Sequence, residues 1–221
     1  MVSAPVPFPR PLCPLPARLA VLLSGRGSNF EALAEACDRG EIPARIVLVV
    51  SDVVSAAGLA KARQRGISSR VMGAGPGASR SQREAELIAV LEEARADLIC
   101  LAGFMRVLSA SFVARFPLRI LNVHPSLLPA FPGLGAQSQA VAYGVRVAGV
   151  TVHFVDEGTD TGPIVAQTAV PVLPTDDENT LAARLLPAEH ALYVASVRRI
   201  LEGGWWISGR SVTLPEPLRH S

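Results

Sequence analysis

Residues 19–30 read Leu-Ala-Val-Leu-Leu-Ser-Gly-Arg-Gly-Ser-Asn-Phe, an apolar run that ends in a loop containing two glycines. The run predicts a short buried strand at 19–23. From Phe30 onwards apolar residues recur at helical spacing until Gly40, which ends the pattern. The stretch therefore predicts one strand–loop–helix unit, with the loop at the carboxyl end of the strand.

Strand and helix patterns continue to alternate after this unit. Predicted strands lie at 45–50, 69–72, 98–102, 119–123, 150–155 and 164–172, and predicted helices at 57–65, 81–95, 109–116 and 175–201. Nearly continuous apolar strands separated by helices are typical of a parallel sheet covered on both faces. We predict an α/β, Rossmann-like fold: an open, mostly parallel twisted sheet of about seven strands with helices on both faces.

Three local features of the second half of the chain refine this picture. Thr175-x-x-Glu178 has the pattern of a capping box that opens the last helix. Pro187 lies inside that helix and is expected to kink or split it. Residues 205–214, with Ser208-Gly209 near the middle, predict a small hairpin.

The 221 residues are predicted to form one domain with two short tails. Six prolines within residues 1–17 indicate a disordered, polyproline-like tail rather than an apolar signal segment. Residues 18–214 contain no internal repeat or linker and are interpreted as a single domain, followed by a tail at 215–221.

Composition excludes several classes of protein. Hydrophobic residues make up 49% and charged residues 18%, with a net charge of +2 and no basic block, so we expect no nucleic-acid partner. No apolar run is long enough for a membrane helix. Cys13, Cys37 and Cys100 form no C-x-x-C pair and, with the four histidines, show no metal-ligand spacing. We predict a cytoplasmic protein without a metal.

The glycine loop at 24–29 admits three interpretations. It could be a turn that binds nothing. It could be a dinucleotide site, with Gly25-x-Gly27 as the first two glycines and Asp52 as the ribose-binding acid, although Phe30 occupies the third glycine position. It could also hold a mononucleotide or sugar phosphate, which needs only the free amides at the start of a helix. It is not a P-loop, because no Gly-Lys-Ser/Thr follows.

A second polar group is predicted at the carboxyl end of the strand at 119–123. Asn122 and His124 are two residues apart, so they point to the same side of the strand. An amide and an imidazole suit a reaction that develops negative charge on oxygen, and a carboxylate such as Asp160 would favour a charged His124. Alternatively, His124 is structural, and Asp156, Glu157 and Asp160 are solvated loop residues.

Together these residues resemble the folate-dependent glycinamide ribonucleotide formyltransferases of purine synthesis. The resemblance covers about 18–214. It rests on Leu-Leu-Ser-Gly-Arg-Gly-Ser-Asn-Phe (22–30), Leu-Ala-Gly-Phe-Met-Arg-Val-Leu-Ser (101–109), Asn-Val-His-Pro-Ser-Leu-Leu-Pro-Ala-Phe-Pro-Gly (122–133), Val-His-Phe-Val-Asp-Glu-Gly-Thr-Asp-Thr-Gly-Pro-Ile (152–164) and Glu-His-Ala-Leu-Tyr (189–193). It implies that the amine of glycinamide ribonucleotide attacks the formyl carbon of 10-formyltetrahydrofolate, without a metal.

The resemblance also implies a role for each site residue. The expected catalytic residues are Asn122, His124 and Asp160. The expected ribonucleotide-binding residues, mostly in the N-terminal half, are Gly27, Ser28, Asn29, Leu186 and Glu189. The expected folate-binding residues are Arg80, Met105, Arg106, Val107, Leu108, Asn122, Asp156, Glu157, Gly158, Thr159 and Asp160. Arg106 is expected to meet the glutamate carboxylate of the folate.

Two departures from the family pattern accompany the resemblance. Leu186 is apolar where the family commonly has a polar side chain near the phosphate, and residues 135–139 lack the histidine of relatives. Rival functions are a formyltetrahydrofolate deformylase, which usually has an extra N-terminal regulatory domain, and a methionyl-tRNA formyltransferase, which has a C-terminal RNA-binding domain. A non-catalytic nucleotide- or folate-binding module is a third. The expected partners are small-molecule substrates, with a monomer or homodimer.

Overall fold

A computed structural model of the chain describes residues 6–7, 13–73 and 77–214. The strands are β1 (Val6–Pro7), β2 (Ala17–Leu23), β3 (Ala44–Ser51), β4 (Ser69–Val71), β5 (Leu98–Leu101), β6 (Ile120–His124), β7 (Val147–Phe154), β8 (Ile164–Pro171), β9 (Trp206–Ser208) and β10 (Ser211–Thr213). The helices are α1 (Ser28–Asp38), α2 (Ala57–Gln64), α3 (Arg80–Glu93), α4 (Ala110–Arg115), α5 (Ala136–Tyr143) and α6 (Glu178–Glu202).

All the strands join one sheet, in the order β1-β9-β10-β8-β7-β6-β5-β2-β3-β4. Strands β6, β5, β2, β3 and β4 are parallel, whereas β7 runs antiparallel to both β6 and β8. The carboxyl ends of β2, β5 and β6 therefore lie side by side at one edge of the sheet. Loops that follow these strands converge there, which is where ligands bind in open α/β sheets.

Alternate residues of β2 build two cores, one on each face of the sheet. Leu19, Val21 and Leu23 face a core shared with α1, α2 and α6, while Ala20 and Leu22 face a core shared with α3 and α4. A strand that is apolar on both faces has to be covered on both. This explains the continuous apolar run that the sequence shows at 19–23.

The predicted fold class is confirmed: the sheet is mostly parallel in its centre and has helices on both faces. The sheet has ten strands in the described residues rather than about seven, because the 205–214 hairpin and Val6–Pro7 extend it at the β8 side. Helix α5 was not expected from the sequence.

Helix α6 differs from its prediction in two respects. It begins at Glu178, with Asp177 as the N-cap and Thr180 completing the capping box, because Asp177 accepts a hydrogen bond from the Thr180 amide at 2.8 Å. Asp176, the residue before this N-cap, instead accepts hydrogen bonds from Arg184 and from the Leu173 amide. The helix also continues through Pro187 instead of splitting.

Parts of the predicted tails lie within the described residues. Val6–Pro7 pairs antiparallel with Trp206–Ile207 at the end of the sheet, and Ala17 already belongs to β2. The remaining tail residues, 1–5, 8–12 and 215–221, lie outside the part of the chain that the structure describes.

Candidate active site

A cleft of about 560 Å³ opens at the carboxyl ends of β2, β5 and β6. Its walls come from separate parts of the chain: the glycine loop, the β5–α4 connection, the end of β6, the loop after β7 and the middle of α6. The segments that supply the lining are 24–29, 101–108, 122–125, 133–137, 153–160 without Phe154 and Glu157, and Ala182, Leu186 and Glu189 of α6. The predicted phosphate loop, catalytic group and folate segment therefore share one cleft.

The glycine loop is held in place by the start of α2. Gly27 has φ +74°, and a Cβ at this position would lie 2.8 Å from the Cα of Gly58. The Gly58 amide also donates a hydrogen bond of 3.1 Å to the Gly25 carbonyl. A residue without a side chain is required at position 27, because both the backbone angle and the space exclude a Cβ. The loop thus presents the amides at the start of α1 to the cleft.

One wall of the cleft pairs the glycine loop with α6. The Asn29 side-chain amide donates a hydrogen bond of 3.0 Å to Glu189, while Asn29 Oδ1 is buried and has no hydrogen-bond partner among the described residues. Partial burial raises the pKa of Glu189, against the opposing effects of the Asn29 hydrogen bond and the charge of Arg26. Leu186 lines the same wall and adds no hydrogen-bonding group. A ligand with a hydroxyl group would satisfy Asn29 and Glu189 together.

Asn122, His124 and Asp160, the catalytic group that the family resemblance implies, lie close together in the cleft lining. His124 Nδ1 lies 3.4 Å from Asp160 Oδ2, and Asn122 Nδ2 lies 3.5 Å from Asp160 Oδ1. His124 Nε2 lies 2.9 Å from the Phe131 carbonyl oxygen, which can only accept, so Nε2 carries a hydrogen. Nδ1 is therefore the ring nitrogen that remains for chemistry.

Asp160 is held by the backbone as well as by histidines. The Gly133 amide donates to Asp160 Oδ2 at 2.7 Å, and the residue has φ +55°, in the left-handed region that few side chains adopt. Burial acts to raise the pKa of Asp160, but the His153 hydrogen bond, the Gly133 amide and the charges of His124 and His153 together lower it. Asp160 is therefore a carboxylate at neutral pH.

His153 is a site residue that the sequence analysis missed. It pairs with Asn122 across β6 and β7, is 1% exposed, and places Nε2 3.2 Å from Asn122 Nδ2 and 3.5 Å from Asp160 Oδ1. Its Nδ1 lies 2.8 Å from the Phe154 carbonyl and therefore donates to it. The contact depends on the register between two antiparallel strands, which no local motif reveals.

The β5–α4 segment is tied to the glycine loop through Asp52. Ser24 Oγ donates to Asp52 at 2.5 Å and accepts from the Met105 amide at 2.8 Å, and Arg106 Nε donates to Asp52 at 2.8 Å. Met105 and Val107 are exposed at the mouth of the cleft. Because Asp52 is already bound by Ser24 and Arg106, it is not free to hold a ribose, which disfavours the dinucleotide interpretation.

Two predicted folate contacts lie outside this cleft. Arg80 lines an adjoining pocket of about 200 Å³ with Arg106, Val107 and Leu108, and it donates to the Val107 carbonyl at 2.7 Å. Glu157 belongs to the loop after β7 but does not line the cleft, unlike Asp156, Gly158, Thr159 and Asp160. The other predicted site residues all line the cleft.

Two features of the described residues bear on cofactors and membranes. Across the described ranges 6–7, 13–73 and 77–214, no group of three or more His, Cys, Asp or Glu side chains is arranged to hold a metal ion. In the same part of the chain, none of the helices has both the length and the apolar character of a membrane span.

Fold and cleft together define an α/β protein with a cleft of small-molecule size beside a group suited to acyl-type transfer. Comparison with known families makes this more specific. A model described as formyl transferase matches residues 17–197, and the chain belongs to this family.

Individual relatives fall into two groups by length. The chain is 44% identical over 200 residues to the phosphoribosylglycinamide formyltransferase of Mycobacterium tuberculosis (strain H37Rv), covering 90% of this chain and 92% of that protein. It is 50% identical over 193 residues to the trifunctional purine biosynthetic protein adenosine-3 of Drosophila melanogaster, covering 86% of this chain but only 14% of that protein. The chain therefore corresponds to one part of the longer relative.

A solved structure shows the same fold. Glycinamide ribonucleotide transformylase 1 from Symbiobacterium toebii matches with a TM-score of 0.87 and 46% identity, over 90% of this chain and 93% of that one.

Proposed function

We propose that this chain transfers the formyl group of 10-formyltetrahydrofolate to the amine of glycinamide ribonucleotide, a step of purine synthesis. The observation that carries the proposal is the convergence of Asn122, His124 and Asp160 in a cleft between the glycine loop and the 105–108 segment. The family match and the relatives named above support it. A cytoplasmic location, a monomer or homodimer, and the absence of a metal belong to the same proposal.

The ribonucleotide would occupy the end of the cleft at α1. Its phosphate would bind the amides of Gly27, Ser28 and Asn29, where the helix N-terminus favours negative charge. Its ribose hydroxyls would reach Glu189 and the unpartnered Asn29 Oδ1, which can accept one of them. The substrate amine would then project toward His124.

The formyl-folate would occupy the opposite end. The backbone of Met105–Leu108 and of the 156–160 loop would meet the hydrogen-bonding edge of the pterin, while the exposed Met105 and Val107 side chains would pack on its apolar faces. Arg106 is half-exposed while it is paired with Asp52, so its terminal nitrogens can reach a carboxylate at the mouth of the cleft. Arg80, in the adjoining pocket, would be a second contact for the same end of the folate.

The reaction would begin when the amine nitrogen attacks the formyl carbon and the carbonyl oxygen becomes an oxyanion. Protonated His124 would donate to it from Nδ1. Asn122 would donate the amide hydrogen that faces Asp160, since the 3.5 Å contact to Asp160 leaves that hydrogen weakly held. As the intermediate collapses, the bond from the formyl carbon to N10 breaks, N10 gains a proton and the attacking nitrogen loses one. Losing one oxyanion donor typically costs about 10²- to 10³-fold in rate.

Asp160 would act through the other two groups. As a carboxylate it stabilises a charged His124, and at 3.4 Å it can relay a proton directly or through one water. Its pKa, lowered as described above, keeps it ionised during the reaction. Asp160 would therefore assist both the oxyanion and the movement of the amine proton.

A direct assay tests the proposal. Purified protein is mixed with 10-formyltetrahydrofolate or a 10-formyl analogue, with and without glycinamide ribonucleotide, and release of the folate product is followed by absorbance. We expect release only when the ribonucleotide is present, together with formylated ribonucleotide in equal amount. Release without the ribonucleotide would favour the deformylase alternative, and binding without release would favour a non-catalytic module.

A further inference from the structure

Arg26 lies in the glycine loop, between Gly25 and Gly27. Its side chain is exposed and lines the α1 end of the cleft. Within the described ranges, no hydrogen bond or ion pair engages the guanidinium group. Burial raises the pKa of Glu189, and Arg26 is close enough for its positive charge to oppose this rise. Arg26 therefore has an exposed guanidinium group without a close partner in the described residues, on the part of the loop that lines the expected phosphate position.

The neighbouring cations are already paired. Lys61 donates to Glu31 at 2.5 Å, and Arg106 donates to Asp52 at 2.8 Å. In the part of the chain that the structure describes, the cleft lining contains two arginines, Arg26 and Arg106, and no lysine. Arg26 is thus the arginine of this lining whose charge no carboxylate neutralises at close range.

The same wall has few other groups that could bind an anion. Leu186 faces the cleft from α6 without a donor, and Glu189 brings a carboxyl group to the same region. A phosphate monoester carries about −1.5 to −2 charges at pH 7. Near Glu189, a positive charge in addition to the partial charge of the helix N-terminus would offset repulsion between this phosphate and the carboxyl group.

Arginine suits this requirement in shape as well as in charge. Its planar fork donates two parallel hydrogen bonds to adjacent oxygens of a phosphate group, which an ammonium group cannot do. The tight Gly27–Gly58 contact holds the backbone from which this side chain projects. The fork can therefore fold over an anion that is already bound by the loop amides.

We propose that Arg26 folds over the phosphate of the ribonucleotide and selects phosphorylated over unphosphorylated substrate. It supplies the side-chain contact that Leu186 does not make. This inference rests on the proposed function, because it assumes that the glycine loop receives a sugar phosphate. It assigns Arg26 to substrate binding and leaves the formyl-transfer chemistry to Asn122, His124 and Asp160.

The test compares Arg26→Met with Arg45→Met. Arg45 is likewise an exposed arginine beside the glycine-loop half of the sheet, but it lies near the amino end of β3, away from the cleft. Steady-state kinetics are measured with glycinamide ribonucleotide and with the corresponding unphosphorylated nucleoside. Arg26→Met should raise KM for the ribonucleotide about 10- to 100-fold, the usual effect of losing a charged hydrogen bond. KM for formyl-folate, and kcat/KM for the nucleoside, should stay within about twofold, since neither involves the phosphate.

A second substitution tests whether Arg26 and position 186 serve the same group. Leu186→Gln in the Arg26→Met background should recover part of the lost affinity for the ribonucleotide, whereas in the wild type it should add little. Arg26→Lys should retain part of the affinity, because it keeps the charge but not the fork. Increasing salt should weaken ribonucleotide binding more in the wild type than in Arg26→Met.

The outcomes separate this inference from the proposed function. Equal kinetics for Arg26→Met and Arg45→Met in an active enzyme would overturn the role of Arg26 and leave the function intact. Equal losses for both substrates would also overturn it, because they would indicate a damaged loop. If the wild type does not transfer formyl groups at all, thermal shifts with ribose 5-phosphate decide: stabilisation of the wild type but not of Arg26→Met supports the phosphate contact, and equal stabilisation refutes it.

Discussion

At the scale of single residues, the glycine loop shows how a missing side chain can be a binding determinant. Gly25 and Gly27 are two residues apart in the same turn, but their surroundings differ. A Cβ on Gly25 would meet nothing within 4 Å, whereas a Cβ on Gly27 would press on Gly58 and require a strained φ of +74°. The two positions therefore form a matched pair for mutation.

Gly27→Ala should displace the loop amides from the phosphate. We expect KM for the ribonucleotide to rise about tenfold or more, since several hydrogen bonds to one charged group would be misaligned. Gly25→Ala is the control and should change KM much less. Steady-state kinetics with both substrates provide the measurement. Similar KM values for the two variants would mean that the loop shape does not govern binding.

The catalytic group is the second case at this scale. Asp160→Asn can still accept from the Gly133 amide but loses the charge that favours protonated His124. We expect kcat to fall about 10²-fold or more, with smaller effects on both KM values. Adding His124→Ala to Asp160→Asn should cost little beyond the worse single variant, because Asp160 acts through His124. Asn122→Ala should still reduce activity on top of either, since its donor is independent.

A double-mutant cycle on kcat/KM at several pH values measures this coupling. Because the native pKa of Asp160 lies below its ordinary value, its carboxylate persists as the pH falls, and the contribution of its charge to kcat should be lost only at a pH below the ordinary range of an aspartate. Strictly additive losses for His124 and Asp160 would contradict the mechanism.

A site residue could be predicted from the sequence when it belongs to a short motif, and could not when its contacts depend on strand pairing. The glycine loop, Asn122 and His124 lie in short motifs that follow predicted strands, which places them at the same end of the sheet. Asp160 was assigned to the catalytic group through the family resemblance, because its loop position alone left a solvated residue as an alternative. His153 enters the site through the pairing of β6 with β7, and Arg106 meets Asp52 because β5 and β3 flank β2. Such contacts depend on strand order and register, which are set by packing of the whole sheet.

At the scale of elements, helices α5 and α6 differ from what the sequence predicted. Helix α5 buries only Ala136 and Ala140, so it has no large apolar stripe from which periodicity could be read. Helix α6 continues through Pro187 because Leu181 and Leu185 before it, and Tyr193 and Val197 after it, are fully or almost fully buried. Each such side chain contributes about 1.5–3 kcal/mol, enough together to offset the roughly 3 kcal/mol cost of an internal proline.

The start of α6 provides a prediction about pH and stability. Arg184 forms a two-pronged ion pair with Asp176, which also accepts from the Leu173 amide at 2.7 Å. The Arg184 hydrogen bonds lower the pKa of Asp176 from 3.8 to about 2. Burial opposes this shift, and the hydrogen bond from the Leu173 amide adds to it. A carboxyl group whose native pKa is lowered stabilises the fold above its unfolded pKa, and this stabilisation disappears as the pH falls through the native value.

Asp176→Asn should therefore destabilise the protein most at pH 5–7, and the difference from wild type should shrink as the pH falls from about 4 toward 2. The free energy of unfolding, measured by urea titration at each pH, tests this. Glu86→Gln is a suitable control, because Glu86 is exposed and has no ion pair among the described residues. A difference between wild type and Asp176→Asn that does not change with pH would show that the ionised pair contributes nothing to stability.

At the scale of the whole molecule, one sheet carries two cores, and the cleft lies at the carboxyl ends of strands in the middle of the strand order. The cleft uses β2, β5 and β6, whereas β1 lies at the far end of the sheet order, beyond β9, β10, β8 and β7. Substrate binding should therefore be insensitive to what happens at the β1 end. We propose one domain that contains the catalytic and both binding regions. It begins before the predicted boundary at residue 18, because Ala17 already belongs to β2 and Cys13 packs against the core.

Removing residues 1–12 and 215–221 tests this proposal. Cys13 is retained because it packs against the core cluster that includes α1 and α6. The described part of the deleted region is Val6–Pro7, which pairs with Trp206–Ile207 in a strand of two residues. Backbone hydrogen bonds contribute about 1 kcal/mol each, so its loss should lower the Tm by only about 2–4 °C in a chain of this size.

We expect unchanged kcat/KM for both substrates and a single unfolding transition. Because β9 would become an exposed edge, the shortened chain should also associate more readily at high concentration, which light scattering can detect. A large drop in Tm or a loss of activity would show that the terminal residues belong to the folded domain.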